Sequence, residues 1–233
     1  MGMKFALIRK FNKSTALLRK QLEKAGHKYS VTNPDIVISV GGDGTFLLAE
    51  QNYPSVPKIL VRESSVCNTC HTDNFEQLIS KLKKPFRIEK HMKLEAVLKR
   101  KGKVRGSYHC TNEFSIRNRN MRHAIRFEVF VNKKQIDHLL IGDGVVVATP
   151  FGSTAYHYSI TKKAFKRGIG IAFNNLTVPL TNILAKETDT IAIRLIRGEA
   201  DLARDNAKEL IPLKPGDIVE VKKSRLVTKL VRL

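Results

Sequence analysis

The apolar run Asp35-Ile-Val-Ile-Ser-Val40 leads directly into Gly41-Gly-Asp-Gly-Thr45, and this junction restricts the chain more than any other feature. Ile and Val feeding glycines and then an amphipathic segment read as strand, tight turn, helix. In α/β folds such turns lie at the carboxyl ends of strands, where ligands collect. Backbone amides at a turn of this kind attract phosphate, whereas a carboxylate repels it unless it binds a metal or a hydroxyl. Asp43 is therefore read as a chemical residue, against the plainer alternative of an aspartate at a helix start. A second glycine turn opens the stretch Gly142-Asp-Gly-Val-Val-Val-Ala-Thr-Pro-Phe-Gly-Ser-Thr-Ala-Tyr-His-Tyr-Ser159 and sets Asp143 on a similar backbone.

Around the first turn, strand-like and helix-like segments alternate. Residues 4–8, 31, 36–40 and 58–61 read as strands; 14–25, 45–51 and 74–82 carry helical spacing. This alternation predicts a parallel sheet flanked by helices. From about residue 86 the pattern changes to short β-like runs at 93–99, 103–110, 113–117, 125–132, 134–140, 144–148, 190–196, 200–204 and 218–221, with one helical stretch after Thr154. The expected organisation is a Rossmann-like α/β domain over residues 1–88 and an all-β domain over 89–233. The last strand, 224–233, is left free to pack on either one.

With 42 Lys and Arg against 21 Asp and Glu, the chain carries a formal charge of +21 and attracts anions. The cations are dispersed, densest at 99–105, 117–126 and 222–232, which fits a solvated surface better than a binding stripe. There is no Trp and no arginine–aromatic motif for stacking bases, so nucleic acid is not an expected partner. No apolar run approaches the ~18 residues needed to span a bilayer. The segment Met1-Gly-Met-Lys-Phe-Ala-Leu-Ile-Arg9 reads as a first strand rather than a signal peptide. A cytoplasmic protein that does not engage membranes is expected. Cys67-Asn-Thr-Cys70-His71 reads first as ordinary thiols. A metal site with His109 or Cys110, or a redox pair, stays open as an alternative.

The chain has no Gly-Lys-Ser/Thr phosphate loop, no Gly-x-Ser-x-Gly elbow and no His-Glu-x-x-His helix. What remains is Asp43, Asp143, the pair Asn112-Glu113 and the hydroxyl residues Ser153, Thr154 and Ser159 around Tyr156. This set suits phosphoryl transfer onto an alcohol, which needs positioning, charge neutralisation and one carboxylate to orient or deprotonate the hydroxyl. Asn112 and Glu113 can hydrogen-bond ribose hydroxyls or a base edge.

Gly41-Gly-Asp-Gly-Thr45, Asn112-Glu113 and Gly142-Asp-Gly…Thr149-Pro-x-Gly-Ser-Thr-Ala-Tyr156, in that order, resemble the signature of NAD kinases. The first motif is shared with lipid kinases, the last is much more specific, and together they span residues 36–221. The resemblance implies a Rossmann-like domain followed by a β-rich one, homodimers or homotetramers, and a divalent cation such as Mg²⁺. It also implies transfer of phosphate from ATP or polyphosphate to the 2′-hydroxyl of the adenosine ribose of NAD. By position, Asp43 resembles the catalytic aspartate, set among Gly41, Gly42, Gly44 and Thr45. Asn112, Thr154, Ala155 and Ser159 resemble adenine contacts, and Glu113 and Tyr156 neighbouring nucleotide contacts. Asp143 resembles a contact to the nicotinamide half, and Asp205 the aspartate of a late Asp-Gly motif in which Asn206 here replaces glycine. No protein metal ligands are assigned.

Two stretches depart from the family. Residues 61–70 replace a Gly-Ile-Asn…Leu-Gly-Phe-Leu segment, and 160–167 replace a glycine-rich one with bulkier, cationic residues. Lys162, Lys163, Lys166 and Arg167 are expected to favour a polyanionic donor or a more phosphorylated acceptor. The alternatives to an NAD kinase are a related kinase of another alcohol, lipid or nucleoside, and a non-catalytic nucleotide sensor or nucleic-acid-binding protein on the same fold.

Overall fold

A computed structural model of the chain describes residues 2–9, 14–63, 70 and 75–233. Internal contacts separate two units: Met1–His91 with Val227–Leu233, and Met92–Leu226.

In the first unit β1 (Lys4–Arg9), α1 (Ala16–Lys24), β2 (Lys28–Tyr29), β3 (Ile36–Gly41), α2 (Asp43–Asn52), β4 (Lys58–Arg62) and α3 (Phe75–Leu82) follow one another. The strands pair in the order β2-β1-β3-β4, all parallel. β3 shows no apolar–polar alternation because both of its faces are covered. Ile36, Ile38 and Val40 share a core with Leu18 and Leu22 of α1 and Leu78 and Leu82 of α3. Val37 faces the other way, with Ala6 and Ala49 of α2. Val31, expected as strand, lies outside any strand. Asn33 takes a left-handed φ of +51° just before Pro34, and the Ser30 hydroxyl turns back to the Thr32 carbonyl, so the backbone there bends away from the sheet.

α2 is fixed to β4 by a buried ion pair. The Lys58 ammonium donates to the Glu50 carboxylate and to the Tyr53 carbonyl, and the Ser55 N–H donates to Glu50 Oε1 at 3.0 Å. Both side chains are essentially sealed from solvent, at 0% and 3% exposure, so each charge depends on the other.

The second unit is built from β5 (Arg87–Arg100), β6 (Lys103–Cys110), β7 (Glu113–Asn118), β8 (Ile125–Val131), β9 (Lys134–Gln135), β10 (Leu140–Gly142), β11 (Gly144–Ala148), α4 (Tyr156–Thr161), β12 (Ile169–Asn174), β13 (Ile183–Ala185), β14 (Ile191–Arg197), β15 (Ala200–Arg204), β16 (Ile211–Leu213) and β17 (Ile218–Arg232). One sheet has the order β13-β12-β11-β7-β15-β16 and is antiparallel throughout. The other runs β10-β8-β14-β17, with β5 beside β17, β6 beside β5 and β9 beside β8. Phe114, Ile116, Val145, Val147 and Ile171 of the first sheet join Leu94, Phe127, Val129, Ile193 and Val219 of the second in one core. Val146 and Ala172 point to the opposite face, on the side where α4 packs on β11 and β12. The first residues of β5, up to His91, and the final residues of β17 count with the first unit, where Leu230 pairs with Lys58 of β4 in parallel.

Several boundaries differ from the expected ones. Residues 134–140 form no single strand: β9 and β10 are separated by a bend at Asp137-His138. β5 starts at Arg87 rather than 93, and β17 is one long strand from 218 to 232. β12 escapes the alternation rule because its first five residues are all buried.

Truncating one partner of the buried pair leaves the other charge stranded. Glu50→Ala is expected to cost about 3–5 kcal/mol of stability in urea unfolding, whereas the double variant Glu50→Leu/Lys58→Met recovers most of the loss.

Candidate nucleotide site

In the first unit, β3 ends on Gly41 with φ +153°, and a Cβ there would stand 2.3 Å from Thr45 Oγ1, so only glycine lets the chain turn so tightly. The Gly42 carbonyl then accepts from the N–H groups of Thr45 (2.9 Å) and Phe46 (3.2 Å), which starts α2. Asp43 and Gly44 fall in the first helical turn, half-buried, with Thr45 buried beneath them. A carboxylate at this end of a helix lies in the favourable field of the helix dipole. The Gly41 carbonyl accepts from the Glu63 N–H at 3.0 Å, and the Cys70 sulphur lies 3.7 Å from the same oxygen. Cys70 is disulfide-bonded; Cys67 and His71 lie outside the described residues. Cys110, at the end of β6, is a free thiol with no exposed surface, and burial pushes its pKa well up. Among the described residues no group of three or more His, Cys, Asp or Glu side chains is placed to hold a metal.

In the second unit, motifs distant in sequence meet at one frame. Asp205 adopts a left-handed φ of +46°, which Asp tolerates better than most residues. Its carboxylate accepts from the N–H groups of Thr111 (2.9 Å) and Asn112 (2.7 Å), and its own N–H donates to the Glu113 carbonyl at 3.0 Å. From the other side, the Thr149 hydroxyl donates to the Thr111 carbonyl (2.6 Å) and accepts from the Gly152 N–H (3.0 Å), while the Thr149 N–H donates to the Asn112 carbonyl (2.8 Å). A Cβ on Gly152 would sit 2.3 Å from the Asn112 carbonyl oxygen, so this motif position also needs glycine.

The frame holds two buried acceptors with no hydrogen-bond partner, Asn112 Oδ1 and Glu113 Oε2. Buried polar atoms left unsatisfied by the protein are costly, and a ligand that donates to them relieves the cost. Burial, and then the neighbouring Asp205 charge, pushes the Glu113 carboxyl up to about 8, against a hydrogen bond from the Tyr156 backbone. Asp205 is also raised by burial, opposed by the amides it accepts from and by Lys93.

The remaining sites from the sequence surround α4. Thr154 and Ser159 are exposed, and Ala155 and Tyr156 are half-buried. Ser159 Oγ donates to the Tyr156 carbonyl at 2.7 Å. The Tyr156 hydroxyl accepts from the Arg117 guanidinium and lies 3.2 Å from the Asn174 amide. Asp143 is held by protein: its carboxylate accepts from Asn118 Nδ2 (3.2 Å) and Asn175 Nδ2 (2.8 Å), and its N–H donates to the Asn174 carbonyl (3.0 Å). Thr149, Arg117 and Asn174 are not among the residues singled out from sequence. Thr149 was within reach, lying inside the quoted motif three residues before Gly152. Arg117 belongs to a basic stretch read as surface charge, and nothing near Asn174 marks it.

A parallel α/β unit with an aspartate-bearing glycine turn, and a β-sandwich unit with a buried polar frame beside a short helix, define a nucleotide phosphotransferase architecture. The sequence profile of the ATP-NAD kinase C-terminal domain matches residues 111–233. An NAD kinase of Sulfurisphaera tokodaii is 30% identical over 178 residues, which is 74% of this chain and 68% of that protein. The chain belongs to the NAD kinase family. Two solved structures share its fold: an Archaeoglobus fulgidus NAD kinase in complex with ATP (TM-score 0.82, 19% identity, covering 99% of this chain and 94% of that one) and yeast NADH kinase complexed with NADH (TM-score 0.86, 16% identity, 100% and 84%).

Between the ordinary glutamate value of 4.5 and about 8, the folded chain retains the Glu113 proton that the unfolded chain releases. Stability contributed by this group therefore falls as pH rises through that window. Thermal melts at a series of pH values are expected to show this decline, and Glu113→Gln, which cannot ionise, is expected to flatten it.

Proposed function

We propose that the chain is an NAD kinase that transfers a phosphoryl group from ATP or polyphosphate to the 2′-hydroxyl of the adenosine ribose of NAD. The observation that carries this reading is the fixed placement of Asp43 in the first turn of α2, directly after the Gly41 turn of a parallel sheet. Asp43 accepts the proton of the ribose hydroxyl as that oxygen bonds to the terminal phosphorus and the bridging P–O bond breaks. Asn112 and Glu113 hold the adenosine through their unsatisfied acceptors, with Glu113 able to donate when protonated. Thr154 and Ala155, just before α4, and Tyr156 and Ser159 within it line the same nucleotide. The ATP and NADH bound in the solved relatives support nucleotides as ligands.

A divalent cation such as Mg²⁺ neutralises charge on the donor phosphates when bound. This ion commonly takes one or two carboxylates and completes its shell with water and phosphate oxygens, a pattern the Asp43 carboxylate fits without a dedicated protein cage. The reading extends to a cytoplasmic homodimer or homotetramer. Among the described residues no helix is long and apolar enough to cross a membrane.

Asp43→Asn preserves shape and removes the base. It is expected to lower NADP formation by about 10²–10⁴-fold while calorimetric NAD affinity stays within a few fold. Wild-type turnover in the variant would remove Asp43 from the mechanism.

A further inference from the structure

At six residues, α4 is too short to hold its own shape or place, and Ala155 before it offers no side-chain cap. Its first turn is held by the sheet instead. The Tyr156 N–H donates to the Glu113 carboxylate, and the Tyr156 hydroxyl accepts from the Arg117 guanidinium. Glu113 and Arg117 lie four residues apart on the face of β7 turned away from the core residues Phe114 and Ile116. Tyr156 is thus pinned to one strand at two points, its backbone and the tip of its ring.

Arg117, Gly144 and Asn174 stand in register on the adjacent strands β7, β11 and β12. Gly144 has no side chain, so Arg117 and Asn174 can meet across it. With its amide oxygen turned to the guanidinium, Asn174 accepts from Arg117 Nη1 (3.0 Å) and Nε (3.1 Å) and from the Tyr156 hydroxyl (3.2 Å). The three side chains then close a ring of hydrogen bonds. A carboxylate within the same row is passed over: Asp201 lies opposite Arg117 on β15 and pairs with Arg119 at 2.8 Å. The guanidinium fork here sets geometry, offering fixed N–H directions to two acceptors, which a lysine ammonium does not supply.

We propose that Arg117 is a positioning residue for nucleotide binding, which acts through the Tyr156 hydroxyl to set the first turn of α4 and does not touch the nucleotide. This rests on the assignment of Thr154, Ala155, Tyr156 and Ser159 as nucleotide-lining.

Calorimetric titration with adenosine, which has no phosphate, and with NAD, alongside NADP formation from NAD, ATP and Mg²⁺, tests it. Arg117→Gln is expected to weaken adenosine and NAD alike by about tenfold. The KM for NAD rises in step, and kcat stays within about threefold. Tyr156→Phe, which removes one oxygen atom, is expected to give a similar loss, and Arg117→Gln/Tyr156→Phe no more than either alone. Asn174→Ala breaks the ring from β12 and is expected to show the same pattern. Should thermal melts show Arg117→Gln to be unfolded, unchanged adenosine affinity in Asn174→Ala overturns the proposal. Additive losses in the double variant overturn it. So does a loss confined to NAD, which means that Arg117 reads phosphate directly, and so does a fall in kcat with KM unchanged. A wild-type chain that binds neither adenosine nor NAD removes the nucleotide reading of α4 and this proposal with it, whereas failure of the variants alone leaves that reading intact.

Discussion

The buried polar frame of the second unit depends on one carboxylate. Asp205 accepts the amides of Thr111 and Asn112 and thereby fixes the entry to β7. Without that fixed entry, Thr149 would have no carbonyls to meet, and Gly152 no backbone to approach closely. The hydrogen bonds here are individually modest, about 1 kcal/mol each, and more when one partner is charged. Their effect is geometric: they hold two buried acceptors, on Asn112 and Glu113, in fixed positions. The raised Glu113 carboxyl is a by-product of this construction, because sealing the frame puts it close to Asp205 away from solvent.

The first unit reaches a similar result by other means. A steric exclusion at Gly41 sets the turn, and the buried Lys58–Glu50 pair fixes the helix that carries Asp43 relative to β4. Each unit therefore holds its polar residues in place at the ends of regular elements. Preorganisation of this kind is what phosphoryl transfer requires, since positioning supplies most of its catalysis.

Much of this was legible in the sequence. Period-2 runs located β6, β7, β8, β14 and β15, and apolar runs joined to glycines located β3, β11 and the start of α2. The NAD kinase resemblance rested on the glycine turns and Asn112-Glu113, and the family match bears it out. Periodicity could not report β12, because a strand buried on both faces has no polar residues to alternate with. Nor could it mark Arg117 or Asn174, whose importance lies in a tyrosine hydroxyl that the fold brings to them. Asp143 shows the converse. Its turn was read correctly as unusual, yet its carboxylate is satisfied by Asn118 and Asn175, neither of which the sequence links to it.

Cys110 adds a different kind of consequence. The thiol ends β6, immediately before the Thr111–Glu113 frame, and is fully enclosed, with its ionisation suppressed. Alkylating reagents and oxidants act on thiolate, so this sulphur stays inert while the surrounding core is closed. Its labelling therefore keeps time for the opening of the frame itself: the chain carries, one residue from the Thr111–Glu113 backbone, a built-in chemical clock for local unfolding.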